Sequence, residues 1–219
     1  MTIQGVNLAN TFPGRQWRSD EVINGNLPTS LDGVSVTIDG KLAYVYYISP
    51  TQINVQAPSD GALGMVSVVV TNNGMSSAPA TAQLQAVAPA FFLFPGTNYA
   101  VASRLPDYAL VGPGSVAGTI AAKPGDIVVL WGTGFGATNP AAPAGIAVSG
   151  APPVVSLPTV TVGGVTAPVI SAVITTGTAG LYQVTIQLPA TVPPGPAVVQ
   201  ASVGGAQTQA GALLMVGQP

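Results

Sequence analysis

Few side chains in this sequence can do chemistry. The carboxylates are Asp20, Glu21, Asp32, Asp39, Asp60, Asp107 and Asp126, set against five Lys and Arg. Acid–base catalysis needs two positioned carboxyls with pKa values pushed apart. Only Asp20 and Glu21 are adjacent, in a stretch shared with Arg15 and Arg18, and most of the others stand at turns, where Asp is favoured for backbone reasons. There is no His and no Cys. That removes the usual general base, thiol nucleophiles, disulfides and zinc–thiolate sites. Calcium requires a close cluster of oxygen ligands, and the carboxylates are not so spaced. Gly132-Thr-Gly-Phe-Gly136 superficially resembles a dinucleotide loop, but the helix and the acidic residue about 20 positions on are missing. No catalytic, cofactor-binding or metal-binding residue is expected, so the chain reads as a non-enzyme.

What remains is a chain of 219 residues with 12 charges, net −2, and 47% hydrophobic residues. Disorder is excluded, because it goes with low hydrophobicity and high net charge. Nucleic acid is excluded as a partner, since five cations cannot neutralise a run of phosphates. The densest apolar runs, Ile127–Trp131 and Ala90–Phe94, fall far short of the roughly 20 residues of a membrane span. A surface made polar without charge has little repulsion to keep copies apart. It therefore fits either a surface covered by neighbours or a weakly charged secreted domain. Met1–Leu8 has neither the basic nor the apolar region of a signal peptide, as expected of a cytoplasmic chain or a mature exported product.

The elements that must position these residues come in two copies. Val36-Thr-Ile-Asp-Gly40 recurs as Val160-Thr-Val-Gly-Gly164, 124 positions on. Gln52-Ile-Asn-Val-Gln-Ala-Pro58 recurs as Gln183-Val-Thr-Ile-Gln-Leu-Pro189, 131 positions on, and Ile3–Leu8 aligns with Leu130–Phe135 at 127. Within each copy the period is two, with Ile53, Val55 and Ala57 on one face and Gln52, Asn54 and Gln56 on the other. Alternation of this kind, divided by Gly-rich turns, indicates strands with one buried face and hence β-sandwiches.

Leu27–Gly40, Tyr47–Pro58, Lys123–Phe135 and Gly180–Pro189 together resemble the uncharacterised Solibacter-type C-terminal domain family of secreted bacterial proteins, related to immunoglobulin-like TIG domains. The resemblance implies an all-β chain of two tandem Ig-like sandwiches and export to the cell surface or medium. It carries no catalytic residues. The expected organisation is a sandwich over 1–88 that lacks its opening strand, an apolar connector over 89–124 packed between domains, and a second sandwich over 125–219.

The missing strand leaves an unpaired edge in the first copy. It is filled by a strand from another subunit, which would give a homopolymer, or capped internally by residues 1–30. Ile3, Val6, Leu8, Phe12 and Trp17 are the candidate assembly residues there. Phe91, Phe92 and Phe94 of the connector are further candidates, as are Leu214 and Val216. By analogy with Ala82 and Leu84, the sequence sets Leu213 and Met215 inward and Leu214 and Val216 outward, to be covered by the connector, a neighbour or nothing. Tyr44 and Tyr46 share a strand face and are candidate ligand-facing aromatics, suited to stacking on polysaccharide or to cross-strand packing. The expected function is a self-assembling extracellular fibre subunit. The alternative is a carbohydrate- or surface-binding module pair.

Overall fold

The computed structural model describes every residue except Asp60, Ala62 and Pro219. It is all-β apart from one 3-10 turn, Ser19–Glu21, and divides into two compact units.

The first unit holds Met1–Ala86 together with Ala142–Ser149 and Thr176–Ala179. Its strands are β1 (Thr2–Gln4), β2 (Arg15–Gln16), β3 (Ser30–Leu31), β4 (Val34–Ile38), β5 (Lys41–Leu42), β6 (Tyr44–Ile48), β7 (Gln52–Gln56), β8 (Gly64–Asn72), β9 (Met75–Ser76) and β10 (Ala80–Leu84). One sheet has the order β1-β7-β6-β2 and the other β10-β8-β4-β3, with β5 on β4 and β9 on β8. The two-residue period closes them face to face: Val34, Val36 and Ile38 of β4 meet Val45, Ile48, Ile53 and Val55 of β6 and β7 in one core cluster.

The second unit holds Val87–Ala141, Gly150–Thr175 and Gly180–Pro219. Its strands are β11 (Ala90–Phe91), β12 (Ala102–Leu105), β13 (Ala109–Val111), β14 (Thr119–Ile120), β15 (Ile127–Thr133), β16 (Thr159–Val162), β17 (Val165–Ala167), β18 (Val169–Ile174), β19 (Tyr182–Gln187), β20 (Gly195–Val203), β21 (Ala206–Gln207) and β22 (Leu213–Val216). One sheet runs β14-β13-β12-β15-β19-β18 with β11 also on β15; the other joins β17, β16, β20, β21 and β22.

Strand pairing carries the sequence repeat through both sandwiches. Val36 pairs with Val70 as Val160 does with Ala201, and Ile3 pairs with Ile53 as Leu130 does with Val184. Residues 89–124, expected as a connector between domains, instead build β11 to β14 inside the second unit's own sheet. The physical reason is that β15 offers a second edge, and this segment pairs with it: Ala102 lies opposite Leu130 and Phe91 opposite Gly132.

The last strand corrects a second expectation. Leu214 and Val216 are the buried pair, each 1% exposed, while Leu213 and Met215 are half-buried. Leu84 pairs with Gly64, and Val216 pairs with Gly195. Gly64 and Gly195 are equivalent at 131, so Leu84 corresponds to Val216 at 132. One extra residue enters between Thr208 and β22, and a one-residue slip exchanges the faces of a strand. The outer edge of β22 is covered from within the unit. Ala100 N–H donates to the Leu213 carbonyl (2.8 Å), Leu213 N–H to Asn98 (2.8 Å), and Ala122 N–H to Met215 (2.9 Å).

Candidate functional site

Three arrangements in the first unit could meet a partner. The first is the run of tyrosines on β6. The pairing of β6 with β7 shifts between Val45 and Tyr47, so Tyr46 is the extra residue of a bulge. The second unit has the same bulge with Ile170 at the equivalent place. Bulges re-aim a side chain, and both residues project: Tyr46 is 44% exposed and Ile170 is exposed too. Tyr46 meets Trp17 edge to face, with ring centroids 6.5 Å apart. The other two tyrosines are half-buried. Gly145, at φ +74°, lies so close to the Tyr44 ring that a Cβ there would stand 2.0 Å from it. Its amide donates to Gln56 Oε1 (2.9 Å), and its carbonyl accepts from Leu27 N–H (2.7 Å). Gly14 lies in the same way against the Tyr47 hydroxyl. Tyr44, offered above with Tyr46 as ligand-facing, is half-buried with Gly145 of this unit against its ring, and Tyr46 projects further.

The second arrangement is ionic. Arg15 Nη1 and Nη2 donate to both carboxylate oxygens of Glu21 at 2.8 Å, and its Nε and Nη2 reach both oxygens of Asp32 at 2.9 and 2.5 Å. Thr11 also donates to Asp32 (2.7 Å). Hydrogen bonds from Arg15 and then Thr11 hold the Asp32 carboxyl down at about 2, and the Arg15 bond holds Glu21 below its ordinary range. Two carboxylates fixed on one guanidinium tie the chain between β1 and β3 together. They give no acid–base pair, because both are held ionised. Among the described residues no three Asp or Glu come close enough to hold a metal ion.

The third arrangement is the edge of the sandwich. Met1 exchanges backbone hydrogen bonds with Val55, and Gly5 N–H donates to Thr51. Odd positions of β1 thus face β7, and antiparallel geometry turns the N–H and C=O of Thr2 and Gln4 the other way. Among the described residues β1 pairs with β7 alone. Its counterpart β15 is flanked by β19 on one side and by β12 and β11 on the other.

Residues 1–84 match the family model of the IPT/TIG domain. The match closes on the last residue of β10, so it takes in every strand of the first sandwich. A search of the curated proteins found no match. The TIG domain is an Ig-like module, compatible with a non-enzymatic structural or binding role.

The candidate assembly residues divide between the two units. Ile3, Leu8 and Trp17 are half-buried against the core of the first unit, and the Trp17 indole N–H is buried without a partner among the described residues. Val6 and Phe12 are 80% and 86% exposed. Phe92 is exposed and Phe94 half-buried. Phe91, Leu214 and Val216 are corrected: each is buried in the second unit and none is open to a partner. Phe91 packs on Phe135 with the rings tilted, 5.8 Å between centroids, and its backbone is bracketed by the Gln209 amide. Sequence reasoning missed the outward backbone groups of Thr2 and Gln4, although the alignment of Gln4 with Trp131 would have located them.

Proposed function

We propose that the chain is a non-enzymatic extracellular structural protein whose subunits assemble into a fibre or surface filament by strand addition at β1. One observation carries this reading. Among the described residues β15 has partners on both sides, while β1 pairs with β7 alone. An open edge is a template for a strand from elsewhere. The 12 charges in 219 residues support it, since they put little repulsion between copies. The exposed Val6 and Phe12 add apolar surface next to the edge in sequence.

The test is negative-stain electron microscopy and sedimentation of the purified chain over a concentration series. Filaments or growing oligomers are expected. A monodisperse monomer at the highest concentration would overturn the reading. The second reading, a polysaccharide-binding module, has one specific observation in its favour, the projecting Tyr46 ring braced by Trp17. It predicts retardation in polysaccharide gels that Tyr46→Ala abolishes.

A further inference from the structure

The outer face of the second unit's β11–β15–β19 sheet carries a row of aromatic and amide side chains. Phe91 pairs with Gly132 and faces the core, so Phe92, the next residue, turns outward. Its N–H donates to the Trp131 carbonyl (2.9 Å), which sets Phe92 beside Trp131 across the sheet. On its other side Trp131 pairs with Gln183. Residues directly opposite one another share a face. Phe92, Trp131 and Gln183 thus form one row.

The indole in the middle of the row is held flat. Trp131 Nε1 donates to Ser103 Oγ (3.0 Å), and Ser103 stands opposite Val129, two residues back along β15. A ring that reaches Ser103 lies along the sheet instead of standing up from it. Val129 faces outward and is nevertheless only 5% exposed, as it would be beneath such a ring. With its N–H bonded inside the unit, what Trp131 presents outward is a π-face. Phe92 beside it is 44% exposed. Solvated rings forgo burial energy, and two side by side are more than the scattered single residues that any surface shows.

The surroundings select the occupant. No Asp, Glu, Lys or Arg occurs in β11, β15, β18 or β19. A charged ligand would find no counter-charge along this row. Gln183 offers a carboxamide, which both donates and accepts hydrogen bonds. Two apolar ring faces beside a neutral, two-way hydrogen-bonding group match a sugar ring, with its C–H faces and hydroxyl edges. A row laid across a sheet suits an extended chain of such rings.

We infer that Phe92, Trp131 and Gln183 form a binding row for an uncharged, extended polysaccharide, with sugar rings stacked on Phe92 and Trp131 and hydroxyls bonded to Gln183. The site does not depend on strand addition at β1. It extends the polysaccharide reading to the second unit without resting on Tyr46.

The test is a native gel containing hydroxyethyl cellulose, mixed-linkage β-glucan or glucomannan, with alginate as the anionic comparison. It is run at a concentration at which the chain sediments as a monomer. In a Trp17→Phe background, titration with the same polysaccharides follows Trp131 emission directly. Retardation by a neutral polymer is expected, together with a shift of Trp131 emission. Phe92→Ala should weaken both about tenfold with the melting temperature retained. If Phe92→Ala is unfolded, Gln183→Ala tests the same row. Retardation abolished by Tyr46→Ala, with Trp131 emission unmoved by sugar, would overturn this site and leave the Tyr46 site standing. Retardation by alginate alone, or by none of the polymers, would overturn the row. So would oligomers that Phe92→Ala disperses while its gel retardation persists, because the face would then belong to a second copy.

Discussion

Leu214→Ala tests the register that reverses the last strand. Leu214 is 1% exposed and lies opposite Ala197 in the β22–β20 pair. Truncating a fully buried Leu removes its transfer energy and leaves a cavity. A site held by strand pairing collapses poorly, so a cost of about 3–4 kcal/mol is expected. Leu213 and Met215, half-buried on the other face, should each cost about 1 kcal/mol on truncation. The two tryptophans make the assay specific, because Trp17 lies in the first unit and Trp131 in β15 of the second. In a Trp17→Phe background, urea unfolding followed by Trp131 emission reports the second unit alone. With a slope of about 2 kcal/mol per molar, Leu214→Ala should lower the midpoint by about 1.5–2 M and Met215→Ala by about 0.5 M. Equal losses, or a larger loss for Met215→Ala, would refute the 132-residue correspondence and restore the inward placement of Leu213 and Met215.

The Arg15 network should be acid-sensitive. The folded-state pKa of Asp32 is depressed, so its contribution is fully present above the unfolded value near 4 and is lost as pH falls towards about 2. Its side chain is 40% exposed, so screening reduces the effect to about 1 kcal/mol. Urea melts at pH 5 and pH 2.5, read by Trp17 in a Trp131→Phe background, should show that loss in wild type and not in Asp32→Asn. Gly145→Ala sets a methyl into the Tyr44 ring at a backbone angle that disfavours a side chain. Hydrogen exchange at residues 142–149 should rise at least tenfold while β19 stays protected, and unchanged protection would show that the segment does not need the Tyr44 contact.

Strand faces were legible wherever the period of two was intact. Gln52-Ile-Asn-Val-Gln56 and its copy announced β7 and β19, and the offsets of 124, 127 and 131 reappear as pairing registers. Legibility failed where the information was not in side-chain alternation. Leu213-Leu-Met-Val216 is apolar at every position, so it cannot tell its own face, and the extra residue upstream lies in an irregular stretch, Gln209–Ala212. The partial cover of Tyr44 was not legible, because it is the backbone of Gly145, and a glycine a hundred residues away gives no signal of contact. Arg15 and Asp32 are 17 positions apart with a turn between them, and only the fold brings them to 2.5 Å.

Magnitudes decide what kind of assembly the β1 edge can support. Completing the burial of Ile3 contributes about 1 kcal/mol, half of what full burial of such a side chain gives. Pairing the N–H and C=O groups of Thr2 and Gln4 adds about 1 kcal/mol per net hydrogen bond. The sum, about 5 kcal/mol, lies at the low end of the cost of immobilising two molecules, about 4–15 kcal/mol. Strand addition at β1 alone would thus hold copies only weakly, and assembly should depend steeply on concentration. A durable filament needs further apolar contact. Of the exposed apolar side chains on the first unit, Val6 and Phe12 stand nearest β1 in sequence, on the segment that follows it, and are 80% and 86% exposed. Phe12→Ser should therefore weaken assembly at least as much as Ile3→Ala, although Ile3 packs on the core and Phe12 does not. Were Phe12→Ser to assemble like wild type while Gln4→Pro, which deletes an outward N–H of β1, did not, the energy of the contact would have to lie in the edge itself, and the estimate for its backbone pairing would be too low.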